Sequence, residues 1–164
     1  MDNKQFIIWR KEDSVIFYIS PMKITPIPIQ VHPETLCPYI RIDVCSTPNF
    51  FSDTSITIDA LIDTGAQFTH LKQELIDQLG LSKSPNHQKI YSFTENREFD
   101  SGVYFSCIKL PNNTIICNAK ILKLPSENPF FDMVLGMDFL KEFEIHYNST
   151  ASSILIPRNT IEEI

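Results

Sequence analysis

The stretch Ala60-Leu61-Ile62-Asp63-Thr64-Gly65-Ala66 decides the fold. An apolar run of strand character ends in a single carboxylate, and a glycine follows two residues later. Asp-Thr-Gly by itself is weak, arising by chance in roughly one chain in thirty of this length. Asp and Gly are also ordinary turn residues. The surroundings add weight. Asp63 directly ends an apolar strand, Ala66 keeps the turn small, and Thr69-His70-Leu71 leads into another apolar segment. Far downstream, Met133-Val134-Leu135 forms a second short apolar run ending in Gly136, followed by Met137-Asp138-Phe139-Leu140.

Outward from these two arms the chain reads as mainly β. Tyr39 to Val44 alternates Ile40, Ile42 and Val44 with Arg41 and Asp43, the pattern of a half-buried strand. Ile56 to Ile62 runs into Asp63. Leu71 to Leu79 carries Leu71, Leu75, Ile76 and Leu79 at helical spacing, and Gly80 stands where a C-terminal cap belongs. Strands are predicted at Lys89 to Phe93, Val103 to Leu110 and Ile115 to Leu122. Pro111-Asn112-Asn113 marks the turn between the last two. Met133 to Leu135 is a short buried strand and Asp138 to Phe143 a short helix, with Asp138 favourably placed in its first turn. Glu144 to Tyr147 and Ile154 to Pro157 close the domain. Before all this, Gln5 to Trp9 and Val15 to Ile19 read as a hairpin. Pro21, Pro26, Pro28, Pro33 and Pro38 follow as an extended strap. The expected division is therefore 1–38 for hairpin and strap, 39–157 for the compact domain, and 158–164 for a solvated acidic tail. No repeat at a fixed period is present.

Composition narrows the function. At 164 residues and 43% hydrophobic content, the chain suits one folded domain with an extension. A net charge of -6 argues against nucleic acid and anionic membrane as partners. The segment from Met1 to Arg10 lacks the long apolar core of a signal peptide, and no apolar stretch is long enough to cross a membrane. The expectation is a soluble cytoplasmic protein with reduced Cys37, Cys45, Cys107 and Cys117. In that setting Asn112-Asn113-Thr114 and Asn148-Ser149-Thr150 carry no sugar. The cysteines and His32, His70, His87 and His146 lack metal-ligand spacing, so no metal is expected. There is no phosphate-binding glycine loop and no Gly-x-Ser-x-Gly elbow.

From about Tyr39 to Pro157, the chain resembles the retropepsin-like, single-domain aspartic proteases. The resemblance is carried by Leu61-Ile62-Asp63-Thr64-Gly65-Ala66 and Val134-Leu135-Gly136-Met137-Asp138-Phe139-Leu140, and the second arm looks more like cellular and bacterial members than viral ones. It implies a closed, barrel-type β half-domain with two short helices, dimerising so that the Asp63 of each chain meets at a twofold axis. Asp63 would be catalytic, with Thr64 bonding across the axis and Gly65, Ala66, Leu135 and Gly136 supporting the loop. The implied activity is hydrolysis of a polypeptide without any cofactor. Two carboxylates a few Å apart cannot both ionise cheaply. One therefore activates water while the other donates a proton to the peptide carbonyl.

A substrate-covering hairpin is expected over Ile90 to Val103, with its tip at Phe93, Thr94, Glu95, Asn96 and Arg97. Here the chain departs from the glycine-rich flap tips of viral members. The alternative is a retropepsin-like binding or assembly domain with weak or no hydrolysis, held monomeric or autoinhibited by its N-terminal segment. His70 lies where relatives usually carry an apolar residue, and is expected in the core or against the neighbouring subunit.

Overall fold

The computed structural model describes residues 6–11, 14–18, 26–51, 53–92, 95–125, 128–146 and 153–155, with side chains described only within 26–146. Two N-terminal strands, β1 (Phe6–Lys11) and β2 (Ser14–Tyr18), form the expected antiparallel hairpin. The strap supplies β3 (Ile27–Pro28) and β4 (Gln30–Val31). β5 (Pro38–Cys45) and β6 (Ser55–Ile62) come next, then a two-residue β7 (His70–Leu71) and helix α1 (Gln73–Leu79). A long hairpin of β8 (Ser82–Ser92) and β9 (Arg97–Lys109) leads into β10 (Thr114–Lys123). The described chain closes with β11 (Met133–Leu135), α2 (Met137–Leu140), β12 (Glu144–His146) and β13 (Ser153–Leu155).

The architecture is mainly β with two short helices, as expected. Ladders run in order through β10, β7, β11, β6, β5 and β9, and β9 also pairs with β10. That circuit is uneven, because β7 and β11 contribute only two and three residues, so the sheet closes irregularly rather than as a regular barrel. β1 extends it by lying parallel along β10 from Phe6–Thr114 to Trp9–Cys117. β8 forms the opposite edge and, among the described residues, pairs only with β9.

Register is fixed by side chains on the outer face. Arg41 lies opposite Asp59 and donates to both its carboxylate oxygens, at 2.8 and 3.1 Å. Asp43, opposite both Thr57 and Lys109, accepts the threonine hydroxyl at 2.6 Å and pairs with the ammonium at 3.2 Å. Such cross-strand pairs are individually small but oppose a one-residue slip. The inner face carries Ile40, Ile42, Val44, Ile58, Ala60 and Ile62, all buried. Packed with them are Ile76 and Leu79 of α1 and Phe139 and Leu140 of α2. The prolines leave the strap extended without freeing it, since Ile27 and Ile29 are buried in the same core.

Several predicted boundaries moved. Leu71 belongs to β7, and α1 begins at Gln73 and ends as expected on Gly80, which is left-handed at φ 60°. The second helix stops at Leu140, short of Phe143. The covering hairpin is far longer than Ile90 to Val103, running from Ser82 to Lys109. The turn after β9 forms where proline and asparagine placed it. Asn113 adopts φ 64°, and Leu110 N–H bonds to Thr114 O at 2.8 Å.

Candidate active site

Strand β6 delivers Asp63, and β11 fixes where it ends up. Leu135 is in parallel register with Ile62, and one step on the Asp63 N–H donates to Leu135 O at 3.1 Å. The chain then turns tightly. Ala66 N–H reaches back to Asp63 O at 3.2 Å, and Gly65 N–H donates to the Asp63 carboxylate at 2.9 Å. A Cβ on Gly65 would sit 3.1 Å from that same oxygen, tighter than most real contacts. The reason for glycine is therefore close approach to the carboxylate, and Gly65 does not share the positive φ of Gly80. Asp63 and Ala66 are partly buried, whereas Thr64 and Gly65 are exposed.

Behind this loop the two sequence arms cross. Met137 N–H donates to Ala66 O at 2.8 Å and Asp138 N–H to Gln67 O at 3.0 Å. Gly136 lies directly over the backbone of Phe68, with no room for a side chain. The crossing is locked by Thr69, which is 1% exposed. Its hydroxyl accepts the Gly136 N–H at 3.1 Å and donates to Asp138 Oδ1 at 2.8 Å. Sequence reasoning missed this clamp. Thr69 offers no signal beyond its place six residues after Asp63, and Asp138 only its helix-start position and its place in the second arm.

His70, next in line, is buried at 6% exposure, in register with Leu122 on one side and Val134 on the other. Burial lowers its pKa from 6.5 to about 4, against smaller raising effects of the Phe68 backbone and the nearby Asp63 charge. Its Nε2 has no hydrogen-bond partner among the described residues. It thus occupies the core, one of its two expected places.

At the tip of the β8–β9 hairpin, Phe93 and Thr94 lie outside the described residues. The rest of the tip manages without glycine. Asn96 takes the positive φ of 50° that the turn requires, and its side chain bonds to the Tyr91 hydroxyl. Arg97 pairs with Glu95 at 2.6 Å and covers the Phe99 ring at 4.4 Å.

Away from the motif, Cys107 and Cys117 place their thiols in contact, and Cys45 lies opposite Cys107 in register. The Cys107 contact and burial hold the Cys117 thiol above its usual range. Among the described residues, no group of three or more His, Cys, Asp or Glu is arranged to hold a metal ion. No helix among them is long and apolar enough to cross a membrane.

Both arms of this crossing fall within one family match. Residues 53–142, more than half the chain, match the family described as "gag-polyprotein putative aspartyl protease". The chain belongs to that family. Its structure is similar to that of a retropepsin-like aspartic protease from Rickettsia conorii, at 18% identity and a TM-score of 0.57, covering 82% of this chain and 92% of that one. At that identity the likeness establishes the aspartyl protease fold. The retroviral protease-like domain of Ddi1 from Leishmania major also matches, at 14% identity and a TM-score of 0.39, with 75% and 96% covered. No curated protein matches.

Proposed function

We propose that the protein is an aspartic endopeptidase whose active site is completed by the Asp63 of a second copy. The observation carrying this reading is the contrast between the loop and what lies behind it. Asp63, Thr64 and Gly65 form an accessible surface, while the Thr69 clamp and the Gly136 crossing hold that surface rigid from beneath. A carboxylate held this way is preorganised to face an identical one across a twofold axis. The pair would share a proton, one member activating water and the other protonating the peptide carbonyl oxygen. Thr64, exposed beside it, would bond across the same axis. Gly65, Ala66, Leu135 and Gly136 act as supports, and the β8–β9 hairpin, with Glu95, Asn96 and Arg97 at its tip, covers the substrate. The protease domain would span 39–157, with 1–38 as its N-terminal hairpin and strap and 158–164 as its tail. The substrate is a polypeptide, cleaved at acid to mildly acidic pH.

The test is mass-spectrometric digestion of a peptide library by wild type and Asp63→Asn across the pH range. Cleavage by wild type alone is expected. Equal digestion by both proteins at every pH would remove the catalytic reading.

A further inference from the structure

Beside the Asp63 platform, a cleft of about 1100 Å³ opens between β8 and the crossing of the two arms. Phe68, Lys120, Asn86, Gln88 and Lys141 are among the residues that line it. The Lys120 ammonium is held by two neutral groups. It donates to Gln88 Oε1 at 3.0 Å and lies 4.8 Å from the Phe68 ring centroid. Among the described residues, no carboxylate is within ion-pair range of either lysine. The one carboxylate lining the cleft, Asp138, receives the Thr69 hydroxyl through Oδ1. Acidic residues outnumber basic ones 20 to 14 in this chain, so a cleft lined by two lysines and one aspartate runs against its overall charge. An ammonium fixed by an amide oxygen and a ring face, both neutral, retains most of its attraction for an incoming anion.

The geometry also says what form the anion takes. β8 is an edge strand bordering the cleft, and its outward backbone groups have no strand partner among the described residues. An extended peptide can add to such an edge, its alternate side chains turning into the adjoining cleft. We propose that this cleft is a specificity subsite for an acidic side chain, Asp or Glu, of an extended polypeptide substrate, with Lys120 as the selecting residue and Lys141 assisting. The proposal rests on the endopeptidase reading for its catalytic consequence, but not for binding.

The test uses the full chain and sets of peptides identical except for Glu, Gln or Lys, scanned through the positions flanking the cleavage site. Two quantities are measured: kcat/KM with wild type, and equilibrium binding to the Asp63→Asn protein by fluorescence anisotropy. At one position Glu should exceed Gln by about tenfold, as expected for a hydrogen-bonded charge pair. Lys120→Met should abolish that preference, Lys120→Arg should retain it, and Lys120→Glu should shift it toward Lys. Equal handling of Glu, Gln and Lys at every position would overturn the proposal. So would a Glu preference that survives Lys120→Met, or an absence of peptide binding. If wild type cleaves nothing, the endopeptidase reading fails by itself. Glu-dependent binding that is lost in Lys120→Met would still support the subsite, and Glu-independent binding would overturn it.

Discussion

A Cβ at Gly136 would lie 2.3 Å from the carbonyl oxygen of Phe68 and 2.4 Å from its carbonyl carbon. Both are backbone atoms, so no side-chain rotation relieves the overlap. Gly136→Ala must push the two arms apart, breaking the Met137–Ala66 and Asp138–Gln67 hydrogen bonds. The expected destabilisation is about 3 kcal/mol or more, at the upper end for overpacking. Urea denaturation of wild type and variant measures it, and an unchanged midpoint would contradict the crossing.

Thr69→Val keeps shape and removes the hydroxyl. The buried Gly136 N–H then loses its acceptor and Asp138 Oδ1 its donor. A cost of about 2 kcal/mol is expected, chiefly from the stranded Gly136 N–H, with most of it recovered in Thr69→Ser. If Val and Ser variants unfold at the same denaturant concentration, the hydroxyl is not the clamp.

His70 predicts an acid limit. Its folded pKa, about 4, lies below the 6.5 of an exposed imidazole. As pH falls through 6.5, the unfolded chain takes up a proton that the native state refuses. Stability is therefore lost between about pH 6.5 and 4 and levels off below, by roughly 3 kcal/mol in all. His70→Leu removes that contribution. Subtracting the two proteins' unfolding free energies at a series of pH values should give a slope confined to this window. A flat difference would mean that His70 protonates freely in the native state.

The proposed composite site requires association. Sedimentation should show a concentration-dependent dimer, tightened by a peptide transition-state mimic. Monomer under all conditions would remove the two-carboxylate mechanism. Trimming the N-terminal hairpin tests whether it restrains pairing. The cut belongs before Pro26, because Ile27 and Ile29 are buried in the main core. Stronger dimerisation or activity in the trimmed chain would mark residues 1–25 as restraining.

Much of the fold was legible because it depends on local rules. Alternation of Ile40, Ile42 and Val44 with Arg41 and Asp43 marks a strand whichever partner it finds. Met133 to Leu135 is a strand with the predicted boundaries, and Gly80 caps α1 as a left-handed glycine should. The length of the β8–β9 hairpin was not legible. Ser82 to Lys89 is polar and interrupted by Pro85, and it is held as a strand by β9 rather than by its own pattern. β7 was missed for a similar reason, since two residues between β10 and β11 have no periodicity to read.

The same division runs through the site. By itself the sequence determined that an apolar strand ends in Asp63-Thr64-Gly65 and that a second apolar run ends in Gly136, because covalent order and hydrophobic pattern specify both. Only the tertiary structure decided why the glycines are needed and what ties the arms together. Gly136 has no room beside Phe68, Gly65 has little beside the Asp63 carboxylate, and Thr69 joins Gly136 to Asp138. Contacts between residues so far apart in the chain exist only once β6 and β11 lie side by side, and no local preference of Thr69 or Asp138 encodes them.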